Sequence, residues 1–98
     1  MVRKVLPKRL QSKLWSKSLA NVDLDRDETM VVHRVLAYGD LKDIGWLIRI
    51  YGKDRLRRVF VAQPMNLYTK PALNFAKNII LDLDDVQIKE KDYVKTLY

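Results

Sequence analysis

Enzymatic chemistry needs a nucleophile beside a base, a carboxylate pair in a cleft, a metal cluster or a glycine loop around phosphate. The chain's 98 residues include no cysteine and a single histidine, His33. That composition excludes disulfides, thiolate metal sites and an imidazole cluster. His33 falls between Val31 and Val35 on the less apolar side of its helical stripe, where a surface or boundary histidine is expected. Asp82, Asp84 and Asp85 have the spacing of an incipient calcium loop, but the required glycine and bidentate glutamate are missing. Only three glycines occur, Gly39, Gly45 and Gly52, each at a helix end or a packing point, leaving none for a phosphate loop. The sequence therefore reads as a non-enzyme, with no catalytic residues, no metal ligands and no cofactor.

The residues with positive chemical content are cations. The formal charge is +7, and its sign alternates along the chain. Residues 1–20 carry six cations and no acid, 21–52 are mildly acidic, 53–81 are basic again, and the segment from Asp82 is acidic. Such a pattern fits a basic face for nucleic acid, and equally intramolecular pairing or an acidic partner protein. Lys53, Arg55, Arg57 and Arg58 follow Gly52 at the start of a helix, the skeleton of a helix-turn-helix. These four, with Lys8, Arg9 and Lys70, are the candidate nucleic-acid contacts. Asp54 is spaced to pair with Arg58 one turn later, as on an ordinary exposed helix.

A chain of this length forms one domain, able to bury roughly 60–70% of its unfolded surface. Hydrophobic residues make up 48% and charged residues 32%, a globular composition. No apolar run approaches the ~20 residues of a membrane span, and the basic start lacks the apolar stretch of a secretory signal, so a cytoplasmic protein is expected. Leu6, Leu10 and Leu14 recur every four residues and predict a short helix over 6–15. After a loop, Asp25 or Asp27 caps a helix over 27–38, whose stripe is Val31, Val32, Val35, Leu36 and Tyr38. Asp40 caps a second over 40–51, with Leu41, Ile44, Leu47, Ile48 and Tyr51 in series and Trp46 and Ile50 beside them. Gly45 in its middle suggests close approach by another helix. A third helix spans 53–63, ahead of Pro64. Beyond a loop at 65–68, Thr69 and Pro71 open a fourth over 70–82, with Ala72, Ala76, Ile79, Ile80 and Leu83 on one face. The predicted class is all-α: a compact bundle of four to six short helices with a helix-turn-helix around Gly52. Its organisation is a basic arm (1–9), a helical domain (10–83) and an acidic, aromatic tail (84–98) that is frayed or ordered by a partner.

Val35-Leu36-Ala37-Tyr38-Gly39-Asp40-Leu41, Trp46-Leu47-Ile48 and Tyr51-Gly52-Lys53 resemble the core of a family of small uncharacterised prokaryotic proteins. That family typically carries Arg-Val-Leu-x-Tyr-Gly-Asp, Trp-Leu and Tyr-Gly. The resemblance covers about residues 10–81, extending upstream to Leu14-Trp15 and downstream to Thr69 and Asn74-Phe75. Ser16 replaces the usual acid after Trp15, and Ala76 the usual Trp after Phe75. The shared residues Trp15, Tyr38, Gly39, Asp40, Trp46, Tyr51, Gly52, Asn74 and Phe75 read as fold determinants, with the large aromatics Trp15, Trp46, Tyr51 and Phe75 in the core. Members are often encoded beside nucleotidyltransferase-type toxins of the abortive-infection kind. The resemblance thus implies an antitoxin-like regulatory protein whose partner is such a toxin, with DNA as a second partner through the basic helix. The alternatives are a stand-alone DNA- or RNA-binding protein and a structural interaction subunit without nucleic acid.

Overall fold

The computed structural model describes residues 24–95. The predicted helix over 6–15, the basic arm over 1–9, Lys8, Arg9 and Trp15 lie outside the described residues. Helix α1, Glu28–Tyr38, starts behind Asp27 and buries Val31, Val32, Val35 and Leu36. It stops at Gly39, whose amide donates to the Val35 carbonyl. A Cβ on Gly39 would lie 2.6 Å from that carbonyl oxygen and 2.9 Å from the Asp43 Cβ, so the close approach demands glycine.

Helix α2, Leu41–Tyr51, opens with a reciprocal capping box. Asp40 accepts from the Asp43 amide at 3.0 Å, and Asp43 accepts from the Asp40 amide at 3.1 Å. Two otherwise unpaired amides are satisfied in this way. Gly52 then turns the chain with φ 82° and ψ 148°, a conformation almost confined to glycine. Helix α3, Lys53–Ala62, follows at once and buries Leu56, Val59 and Phe60. The α2–α3 corner is one residue, tighter than the three to four of a usual helix-turn-helix.

Helix α4 is short, Lys70–Asn74, with Thr69 accepting from the Ala72 amide and Pro71 in the first turn. It runs directly into a π-helical segment, Phe75–Ile80, and a single 3-10 turn, Glu90–Asp92, closes the described chain. The fold is all-helical. Among the described residues, extended pairing amounts to one isolated parallel bridge between Tyr68 and Val94. The core is continuous from Leu24 to Tyr93, drawing on α1 to α4, on Ala76 of the π-helical segment and on Tyr93 just after the 3-10 turn.

Several sequence expectations are corrected. The fourth helix is α-helical only to Asn74. Beyond it the Leu81 amide reaches the Ala76 carbonyl, five residues back, at 3.0 Å. That wider turn breaks the 3.6-residue stripe. Ala76 and Leu81 are buried, whereas Ile79 is 65% exposed. Phe75, read as a core aromatic, is 38% exposed, and Asn74 is also at the surface. Leu41, counted in the α2 stripe, is 71% exposed because it begins the helix on its outer side. For Gly45, no side chain and no other element among the described residues comes within 4 Å of an added Cβ, so the close approach expected there is not made by residues 24–95. The segment at 65–68 buries Leu67 and Tyr68. The stretch read as a frayed tail packs inward through Tyr93, which is 2% exposed because its hydroxyl and ring both find partners in the core. Trp46 and Tyr51 are core residues as expected.

Candidate functional site

Helix α3 carries the candidate cations, and the fold gives most of them partners from the chain itself. Lys53 pairs with Asp82, beyond the π-helical segment, and that bond and charge hold the exposed Asp82 carboxyl below its ordinary range. Arg55 bridges to Glu28 at the start of α1 and to Asp25 at 3.5 Å, and its guanidinium lies 5.1 Å from the centre of the Tyr51 ring. Arg57 approaches Asp54 at 3.9 Å. That bond replaces the expected Asp54–Arg58 pair, because the acid leans to the residue three positions on. Lys70, away from α3, pairs with Glu90 at 3.5 Å. Among the described residues Arg58 alone of these five cations has no carboxylate partner.

Residues 24–95 hold 13 Lys and Arg against 11 Asp and Glu, so they contribute only +2 of the +7 charge. The domain is nearly neutral, and the surplus lies in residues 1–23. Exposed ion pairs are individually weak, so those on α3 could exchange for phosphates. What they remove is the concentrated positive field that draws a polyanion to a surface.

The outer side of α3 instead forms a groove of about 760 Å³ against residues 83–86. Val61, Leu83 and Val86 give it an apolar floor, while Asp54, Arg57 and Arg58 stand at its edge. Val61 is 42% exposed there, although it belongs to an otherwise amphipathic helix. No short-range pattern marks this groove, because its two walls are more than twenty residues apart. The alternation of Val86 and Ile88 is the one hint that apolar side chains continue past Asp84.

His33 is the other feature that sequence reasoning misplaced. It is fully buried, not at the surface. Its Nε2 lies 2.6 Å from the Gln63 carbonyl and its Nδ1 2.7 Å from the Tyr68 hydroxyl. A carbonyl only accepts, so Nε2 carries the proton and Nδ1 accepts from Tyr68. The rings of Phe60, Tyr68 and Tyr93 enclose it at centroid distances of 5.7, 5.7 and 6.3 Å. Burial lowers the imidazole from 6.5 to about 4, against the pull of the Gln63 carbonyl. Burial likewise pushes the Tyr68 hydroxyl far above its ordinary value, with the neighbouring Tyr93 and Tyr38 adding to it. Both hydrogen-bonding nitrogens of His33 are occupied within the core, so this is a structural network that joins α1 to the chain beyond α3. Among the described residues no group of three His, Asp or Glu side chains is placed to hold a metal. No helix among them is long and apolar enough to cross a membrane.

These features define a small all-helical domain of short, corner-joined helices, with all the candidate cations among the described residues but Arg58 paired to its own carboxylates and an open apolar groove. Residues 10–60 match a family of unknown function, DUF6922, and the chain belongs to that family. The match spans α1, α2 and most of α3, including both glycine corners. No curated protein and no solved structure matches the chain.

Proposed function

We propose that this chain is a small cytoplasmic regulatory protein that acts by contact with another protein and performs no catalytic step of its own. The antitoxin-like role implied by the sequence resemblance is the specific form of this reading, with a nucleotidyltransferase-type toxin as partner. The observation that supports it is the pairing of Lys53, Arg55 and Arg57 with the domain's own carboxylates. Paired in this way they leave α3 without the concentrated positive field that draws a polyanion, even though each pair is weak enough to exchange. The test is native purification of the tagged full chain from cells that encode it, followed by reconstitution with the recovered protein. A partner that forms a complex of fixed stoichiometry from purified components is the expected result. Recovery of nucleic acid instead, released by salt, overturns it.

A second reading rests on the surplus charge of residues 1–23, which suits a polyanion. It predicts duplex binding whose log affinity falls with log salt by about 0.9 per phosphate neutralised. Charge reversal at Lys53, Arg55, Arg57 and Arg58 leaves that slope nearly unchanged if residues 1–23 carry the contacts. A drop of about 3.6 would return the function to α3.

A further inference from the structure

The groove between α3 and residues 83–86 combines an apolar floor with a cationic edge. Its floor is apolar, with Val61 left 42% exposed on a helix whose other face is already packed. Its edge carries two guanidiniums whose charge the fold leaves incompletely matched: Arg58 has no carboxylate among the described residues. Arg57 is matched loosely, by Asp54 at 3.9 Å on a side chain 92% exposed and by the field of Asp82, which Lys53 already engages. By contrast Lys53, Arg55 and Lys70, which point elsewhere, are all paired. The unmatched charge of α3 is therefore concentrated beside its exposed apolar surface.

We infer that this groove docks a short segment of a partner protein in which apolar side chains alternate with Asp or Glu. This inference rests on the protein-contact reading above and names the chemistry of the contact. Apolar side chains would cover Val61, Leu83 and Val86, while a carboxylate takes the fork of Arg58, the bidentate geometry for which guanidinium is suited. About 760 Å³ accommodates a few side chains, the size of a peptide anchor. Arg58 and Val61 are three apart on α3, so one segment meets both. Asp54 at the same edge repels a second carboxylate and sets the segment's direction. Single-stranded nucleic acid is a poorer fit, because among the described residues no aromatic ring lines the groove to stack a base.

Selection from a phage-displayed library of random 12-residue peptides on the full chain tests this directly. Enriched peptides are expected to carry Asp or Glu among apolar residues, and a fluorescein-labelled copy of the best should bind in polarisation. Arg58→Glu should weaken that binding at least tenfold, and so should Glu→Lys in the peptide; combining the two should restore part of the loss. Val61→Asp should weaken binding as much while the far-ultraviolet circular dichroism stays unchanged. Absence of enrichment, a basic consensus, binding indifferent to Arg58→Glu, or displacement by lauric acid or a single-stranded oligonucleotide overturns the proposal. If a reconstituted partner binds the Arg58→Glu chain as tightly as the unaltered one, the groove proposal fails and the protein-contact reading stands. If no partner is recovered, that reading fails whatever the peptides do.

Discussion

The buried imidazole of His33 makes a pH dependence that follows from its surroundings. Its folded pKa of about 4 lies below the 6.5 of the unfolded chain, so between these values the unfolded state binds more protons. Stability from this group is therefore complete above about pH 6.5 and is lost as pH falls through 4. The loss amounts to ~3 kcal/mol. Urea unfolding at steps from pH 7.5 to 4.5 should show the midpoint falling, and His33→Gln should flatten the profile over that window. A midpoint that stays level in the unaltered chain would mean that the imidazole is already solvated. Nothing in the sequence reveals this histidine's position. Neighbouring valines mark a helix, but the groups that enclose it, Gln63, Tyr68 and Tyr93, come from 30 to 60 residues away.

Among the elements, the three helices from Glu28 to Ala62 were legible because each carries its own start and stop. Asp40 and Gly39 punctuate one junction and Gly52 the other, and the apolar spacing between them follows one period. Where that period changes, sequence reading loses its footing. An α-helical period places Ile79 inward, and the π-helical turn carries it out; Phe75, a core aromatic by resemblance and size alone, lies at the start of that segment and is also exposed. The groove is invisible to local pattern for a related reason: its walls, 54–62 and 83–86, are neighbours in space but not in sequence. Two glycines separate backbone need from mere tolerance. Gly52→Ala should cost about 1–3 kcal/mol, since φ 82° with ψ 148° is strained for any residue with a Cβ. Gly45→Ala should raise stability by ~1 kcal/mol, because it sits in mid-helix and no other element among the described residues comes within 4 Å of where the methyl would go. Thermal melts of the two variants should move in opposite directions. A destabilised Gly45→Ala chain would restore a packing role to that position.

Across the whole molecule the two ends of the described chain are drawn into one core. Tyr51 donates its hydroxyl to the Leu24 carbonyl, and Tyr93 donates to the Phe60 carbonyl at 2.6 Å. The Tyr68 amide donates to Tyr93 at 2.8 Å, the Lys95 amide to Tyr68 at 3.0 Å, and Asn66 donates to the carbonyls of Lys91 and Val94. The last dozen described residues are thus part of the fold in spite of their charge. Ending the chain after Ile88 removes the Tyr93 ring from beside Phe60, where it stacks at 4.8 Å. Such a truncation should lower stability by ~3–5 kcal/mol, the usual range for loss of a large buried aromatic. Urea titration of the truncated chain, compared with the full one, reads this directly, and an unchanged midpoint would make those residues an appendage.

The Tyr93–Phe60 contact also has a consequence in the time of synthesis. Thirty-three residues separate the two, and at 5–20 residues per second a ribosome needs about 2–7 s to add them. Helices α1 to α3 form from segments already made, but the pocket around His33 lacks one of its walls throughout that interval. The pocket around His33 therefore cannot close before Tyr93 has been joined to the chain. Closure of the aromatic pocket is thus among the last steps open to the growing chain, whatever the speed at which the helices before it form.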